Sequence, residues 1–481
     1  MTSDYDSLYI GGKWRTPASE DRIEVCSAAT EERIGSVPAA TVVDVDAAVD
    51  AARNAFDDPT GWSTWLPRER ADVLRTFASE VKSRAKDIVT AVSSQNGMPV
   101  GIGRFSEGAV PAKMLRYYAD MVEQTPASDM RVSLVQGRTE VRRVPVGVVG
   151  AIVPWNFPQI LTFFKLAPAL AAGCAVVLKP SSETVLDAML IAEAAEAAGL
   201  PAGVLNVVPG PGRTAGARLV EHPGIDKIAF TGSTAAGRSI AETCGRQLKP
   251  VTLELGGKSA AIILDDADLS TVMAGLFAVT LINQGQGCYL CTRILAPRSR
   301  YQEVVDAVTD MAKSLKIGDP LDPSTLIGPV ASSAQRDTVE SYIAKGLAKG
   351  GQVTTGGGRP AGFDRGWYVE PTVFAGLDNS AVVSREEIFG PVLTIIEYTD
   401  DDDAVRIAND SDYGLAGTVW TRDLDRGIAV AGRIQSGSVG VNGYTMDHGA
   451  PFGGLKDSGI GRELGPEGLA AYQQYKSLYL P

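Results

Sequence analysis

Histidine is nearly missing from this chain: His222 and His448 are its 2 copies in 481 residues. Cysteine is also sparse, at Cys26, Cys174, Cys244, Cys288 and Cys291. A structural zinc site needs four nitrogen or sulfur ligands, usually as two close pairs, so no metal centre is expected. An odd, scattered set of cysteines also excludes a disulfide scaffold. Basic residues are in the minority, 45 against 57 acidic, for a formal charge of −12. Nucleic acid and anionic membranes reward a basic surface, so neither is an expected partner. Long apolar runs are absent as well. The longest, Leu166 to Leu178, lies between Lys165 and Lys179 and is interrupted by Pro168 and Gly173, too short to span a bilayer. The opening "MTSDYDSLYIGGKW" has no apolar core of the signal-peptide kind. A cytoplasmic protein in a reducing compartment is expected.

The remaining composition is that of a globular enzyme, with 44% hydrophobic and 21% charged residues. Its 52 glycines suit many tight strand-to-helix turns. The length implies two or three domains. From about 146 to 265 the chain alternates apolar β-branched runs with helical periodicity: "VGVVGAIVP", "CAVVLKP", "GVLNVVPG" and "IDKIAFTGS" read as strands. Helices are expected over 182–199, 213–224 and from the glycine turn to about 247. Such alternation means a parallel sheet with helices on both faces. A second series follows "VTLELGG", with "SAAIILDDA", a helix over 268–284, "TRILAPR" and a helix from about 299 to 315. One helix is expected over 68–89. The segment 130–147 reads as a hairpin with a Gln-Gly turn. The hairpin and the tail "AAYQQYKSLYLP" could extend a neighbouring chain's sheet, or pair with each other.

"GQGCYLC" (285–291) places Cys288 and Cys291 three apart, as half a metal site, a redox pair, or a nucleophile beside a bystander. "FTGSTAAGR" follows a strand and opens a helix. There Gly232 and Gly237 would let backbone approach a phosphate held at the helix N-terminus beside Ser233; a plain helix cap is the competing reading. Lys179 in "VLKPSSE" stands at a strand's C-terminal end, solvated or bonded to ribose hydroxyls. Asn156 in "VPWNFPQI" either stabilises a turn or donates to an oxyanion. Glu254 in "LELGGK" sits in an apolar run, either paired with a buried cation or left with a raised pKa as a general base.

PWNFP, KPS, FTGSTxxG, ELGGK, the GQxC loop, "EEIFGPV" and "PFGGLKDSGIGRELG" occur in this order along nearly the whole chain. Together they resemble the aldehyde dehydrogenase superfamily. The resemblance implies an α/β fold of two side-by-side doubly wound domains plus a small β oligomerisation segment. Residues 1–125 and 146–254 would form the cofactor-binding Rossmann-like domain, 255–457 the catalytic domain, and 126–145 with 470–481 the oligomerisation strands of a homodimer or homotetramer. It implies Cys288 as nucleophile, Asn156 as oxyanion donor, and Glu254 as the base that hydrolyses a thioester. Lys165 and Glu463 would relay protons or act structurally. The cofactor would be NAD or NADP, held by Trp155, Lys179, Gly232, Ser233, Gly237, Glu387 and Phe389. Where NAD-preferring relatives often carry a glutamate, this chain has Ser182, so NADP should be tolerated. Phe157, Gln159, Phe164, Tyr289, Phe452 and the loop 444–452 would line the passage for a small-molecule aldehyde. Cys291 reads as a buried filler, or as a partner protecting Cys288 under oxidation. A CoA-acylating enzyme and a non-catalytic relative are the alternatives. The first tends to lack the equivalent of Glu254, and the second should have lost Cys288 or its partners.

Overall fold

The computed structural model describes residues 3–481. Its framework is two large sheets of opposite ends of the chain's α/β series. The first has eight strands, in the order 459–460, 251–254, 227–231, 148–152, 175–179, 205–207, 8–10 and 13–15. Its five central strands are parallel and their side chains buried on both faces, as continuous Val/Ile/Ala/Leu runs require. The edges are antiparallel additions from the two chain ends. The second sheet has seven strands, ordered 352–355, 372–375, 392–398, 293–297, 260–263, 417–420 and 440–441. The fold is thus the expected doubly wound α/β architecture, although the segment after 457 returns to the first sheet.

In the first sheet the chain builds outward from Val148–Ile152 in one direction, then restarts beside it with Lys227–Thr231. The order reverses between these two strands. Their carboxyl ends therefore part and leave a crevice, the standard ligand position in open α/β sheets. Residues 153–156 and 232–233 border it.

Several expectations need correction. The helix expected over 68–89 is two, Pro67–Ser83 and Ala85–Asn96, broken at Arg84. The span 213–224 is an irregular turn followed by a short helix, Ala217–Glu221. The helix expected to reach 284 stops at Thr280. Beyond it Asn283, Gln284 and Gly285 all adopt left-handed conformations, with φ of 51°, 55° and 74°. That costly run tips the chain out of the helix direction just before Cys288. The hairpin is Ser128–Val132 with Arg138–Pro145, and the tail strand Gln473–Leu480 pairs with the latter over its whole length. The two segments expected to add to a neighbour thus pair with each other, leaving 128–132 and 473–480 as the edges. Among the described residues no helix is long and apolar enough to cross a membrane.

Candidate active site

Cys288 lies where two cavities meet. One, of about 250 Å³, occupies the crevice of the first sheet and is bordered by Trp155, Gly232, Ser233, Glu387 and Phe389. The other, of about 370 Å³, opens on the opposite side and is walled by Ile102, Phe157, Leu161, Phe164, Tyr289 and Phe452 among others. Only Asn156 and Cys288 border both.

Asn156 is held rigidly. Its Nδ2 donates to the carbonyl of Gln286 at 3.0 Å, just before the nucleophile. Its own carbonyl accepts from Asn96 Nδ2 at 3.1 Å and Asn283 Nδ2 at 3.0 Å. One proton of its side-chain amide is thus used in fixing the cysteine loop and the other is left for the cavity. Gly257 passes so close under the loop that a Cβ there would collide with the Cys288 carbonyl. Burial raises the Cys288 thiol's pKa, and the charges of Glu387 and Glu254 raise it further. The resting group is a thiol, and attack requires a base.

Glu254 supplies a carboxyl 1% exposed, with neither oxygen hydrogen-bonded. Burial pushes its pKa well above the usual range, Glu463 raises it further, and Lys165 opposes. Lys165 is itself fully buried and donates to Glu463 Oε1 at 2.7 Å and Thr231 Oγ1 at 2.6 Å. Phe452 and Glu463 exchange backbone hydrogen bonds of 2.7 and 2.8 Å, which ties the apolar cavity wall to this ion pair.

The crevice suits a dinucleotide. Ser233 caps the helix Thr234–Arg246 by accepting from Ala236 N at 3.3 Å, and it lines the crevice with Gly232, which sets this helix N-terminus at the crevice's edge. Trp155 and Phe389 meet edge to face at 5.3 Å across its mouth. Glu387 accepts from Gly257 N at 3.0 Å, and burial lifts its pKa to about 7. Gln335 was not legible as a site residue. It borders the crevice and donates to the carbonyls of Ile388 and Phe389, at 3.0 and 2.9 Å, which fixes the loop that carries Glu387. Lys179 and Ser182 do not line the crevice; Lys179 ends the strand beside 148–152, level with Ile152. Lys179 Nζ donates to the carbonyls of Pro180 and Gly210, and burial lowers its pKa to about 8. Gly237 has a different role from the expected one: its missing side chain makes room for Leu255, so it serves helix–sheet packing.

Of the expected passage residues, Phe157, Phe164, Tyr289 and Phe452 line the apolar cavity. Gln159 does not. It is fully buried on the other side of its helix, where Nε2 donates to Asp187 Oδ2 at 2.7 Å and its backbone N–H to Glu107 Oε2 at 2.8 Å. Adjacent helical positions face different ways, and the wall is made by Ile160, Leu161 and Phe164 instead. Ile102, Phe105 and Ile282 complete it from segments with no motif to announce them. The polar side of the cavity includes His448, whose pKa burial lowers and which meets Phe164 edge to face at 5.6 Å. Asp447 instead turns to cap its own loop through Gly449 N. Cys291 is 1% exposed and packs in the core of the second sheet, accepting a 3.8 Å contact from Thr418 Oγ1. Its burial suits the filler reading, and Cys288 and Cys291 are not bonded to each other.

Comparison with known proteins shows the family. The aldehyde dehydrogenase family matches residues 14–478. Geranial dehydrogenase of Castellaniella defragrans is 54% identical, over 100% of both chains. An aldehyde dehydrogenase of Mycobacterium tuberculosis, solved with NAD+, superposes with a TM-score of 0.97 at 48% identity, covering 100% of this chain and 99% of that one. A cysteine-to-alanine variant of aldehyde dehydrogenase C from Pseudomonas syringae, solved with NAD+ and octanal, gives 0.94 at 40% identity, covering 98% and 96%. The chain belongs to the aldehyde dehydrogenase family. It is an NAD(P)-dependent oxidoreductase that converts an aldehyde to the carboxylic acid.

Proposed function

We propose that Cys288, Asn156 and Glu254 carry out this oxidation on a medium-length apolar aldehyde. The observation that carries the reading is that Asn156 and Cys288 are the two residues shared by the dinucleotide crevice and the apolar cavity. An aldehyde carbon placed at Cys288 Sγ is reached by substrate from one side and by the nicotinamide from the other. Sγ attacks the carbonyl carbon as the thiol proton passes to a base. The new oxyanion accepts from Asn156 Nδ2 and the Cys288 backbone N–H. The nicotinamide that the crevice beside Trp155, Glu387 and Phe389 would hold supplies the acceptor for the hydride this carbon must lose. What remains on Cys288 is a thioester. Glu254 then takes a proton from water, whose oxygen attacks the thioester carbon and releases the carboxylic acid and the thiol. The Lys165–Glu463 pair keeps a charged, hydrogen-bonded partner beside Glu254 and a route for its proton.

The substrate class follows from the walls. Ile102, Phe105, Ile160, Leu161, Phe164 and Met446 are apolar, and no charged side chain lines the cavity. A semialdehyde carrying a carboxylate would be buried there unpaired, at a cost of several kcal/mol. Geranial, named for the relative at 54% identity, is of the favoured class. Glu254 also argues against transfer to CoA, which needs no water-activating base. We further infer a homodimer or homotetramer assembled through the hairpin 128–145 and the strand Gln473–Leu480.

The test is initial-rate formation of reduced cofactor across acetaldehyde, octanal, geranial, benzaldehyde and succinate semialdehyde, with and without CoA. Turnover of octanal and geranial without CoA, at kcat/KM at least about tenfold above acetaldehyde and succinate semialdehyde, is expected. A preference for succinate semialdehyde, or strict need for CoA, would overturn the reading.

A further inference from the structure

A third large cavity, of about 750 Å³, lies on the outer surface where the helices Pro67–Ser83, Ala85–Asn96, Val100–Phe105 and Val110–Gln124 converge. It shares no lining residue with the crevice or the apolar cavity. Its floor is aliphatic, with Val89 and Val100 only 5% and 7% exposed. Its rim carries Lys82, Lys86, Arg104, Lys113 and Arg116, all exposed, and no carboxylate lines it.

These cations are unneutralised for a specific reason. None of them makes a side-chain hydrogen bond or ion pair among the described residues, whereas their neighbours on the same helices do. Arg84 pairs with Glu80 at 2.7 Å. Arg75 pairs with Asp120 and Glu123. Glu80, Asp120 and Glu123 are thus engaged by other arginines and not by the rim cations. In a chain of formal charge −12, a cavity ringed only by free cations runs against the average field. A single carboxylate would leave most of that repulsion in place. A ligand with several negative charges would relieve it, and the guanidinium forks of Arg104 and Arg116 suit phosphate oxygens. The aliphatic floor adds a place for a flat, weakly polar group, and the volume falls within the usual range of small-molecule sites.

We propose that this cavity binds a nucleoside polyphosphate, with its phosphates among Lys86, Arg104 and Arg116 and its base against Val89 and Val100. The site is separate from the dinucleotide crevice and does not depend on the identity of the aldehyde.

The experiment is calorimetric titration of the full chain, saturated with NADH, with ATP and separately with inorganic tripolyphosphate. ATP is expected to bind saturably at one site per chain, more tightly than tripolyphosphate. In Arg104→Ser/Arg116→Ser its affinity should fall by about tenfold or more. Aldehyde turnover without ATP should stay within about twofold of the parent, which checks the fold. If that variant does not fold, Lys86→Ser/Lys113→Ser takes its place. Displacement of ATP by NADH, equal affinity in the variant, tripolyphosphate binding as tightly as ATP, or no saturable heat up to about 10 mM would each overturn the proposal.

Discussion

Glu254 shows how a single residue's environment sets chemistry. Its carboxyl is buried without a hydrogen bond, and its pKa is raised by burial first and by Glu463 second. The protonated form therefore persists above the ordinary carboxylate range, and the basic form needed for hydrolysis appears only as pH rises. Steady-state turnover should climb as pH rises above the ordinary carboxylate range. In Glu254→Gln that dependence should flatten. Thioester hydrolysis should slow by about 100-fold or more while the first burst of reduced cofactor persists. Stopped-flow absorbance at 340 nm against pH separates the two steps. Loss of the burst with normal hydrolysis would remove Glu254 from the role.

Glu107 makes a second case, this time in stability. It is fully buried, caps the first turn of the helix Pro158–Ala172 by accepting from Gln159 N, and burial lifts its pKa to about 8. A pKa raised on folding means that its stabilising contribution is complete at pH below the ordinary carboxyl value. That contribution is lost as pH rises toward 8, at a slope of up to about 1.4 kcal/mol per pH unit. Glu107→Gln retains an acceptor for Gln159 N and removes the titration. Denaturant unfolding between pH 5 and about 8 should show a shallower loss of stability in the variant than in the parent. Parallel curves would contradict this account.

At the scale of elements, the informative cases are those where a local pattern and a tertiary demand disagree. The apolar run over 268–284 has helical periodicity, yet the helix ends at Thr280 because Cys288 must enter the crevice from beneath. Nothing local requires the left-handed Asn283–Gln284–Gly285 run. The helix Pro158–Ala172 was not read from the sequence, and neither was its rotation, which turns Gln159 away from the cavity and Ile160 toward it. The three-stranded sheet of 128–132, 138–145 and 473–480 was legible as strands whose partners were open. Its tip leaves Leu134 and Val135 essentially fully exposed. Leu134→Glu/Val135→Glu should place charges in the inferred assembly surface and lower the oligomeric state. Light scattering coupled to size exclusion reads this directly; an unchanged mass would move the interface elsewhere.

At the scale of the whole molecule, the two sheets bring their loops together around one cysteine. Residues 155, 232 and 254 follow or end strands of the first sheet around its reversal at 148–152 and 227–231, 288 and 387 come from loops of the second sheet, and 463 joins through its ion pair with Lys165. We infer that cofactor choice is read at Ser182, just beyond the strand 175–179 that pairs with 148–152. Ser182 carries no charge to repel a 2′-phosphate, so both NAD and NADP should support turnover. Ser182→Glu should cut kcat/KM for NADP by about tenfold and spare NAD. Equal losses for both would show that the position does not read the phosphate.

The order of short motifs, the apolar β-branched runs and the scarcity of histidine and cysteine determined the family, the α/β class and the positions of Cys288, Asn156 and Glu254. Those features are local, and each carries its chemistry in a few adjacent residues. Only the tertiary structure decided which faces line the apolar cavity, which glycines serve packing, that Gln335 and Asn96 brace the site, and that five free cations share one pocket. Such properties depend on helix rotation and on contacts between segments distant in sequence. No periodicity along the chain encodes them.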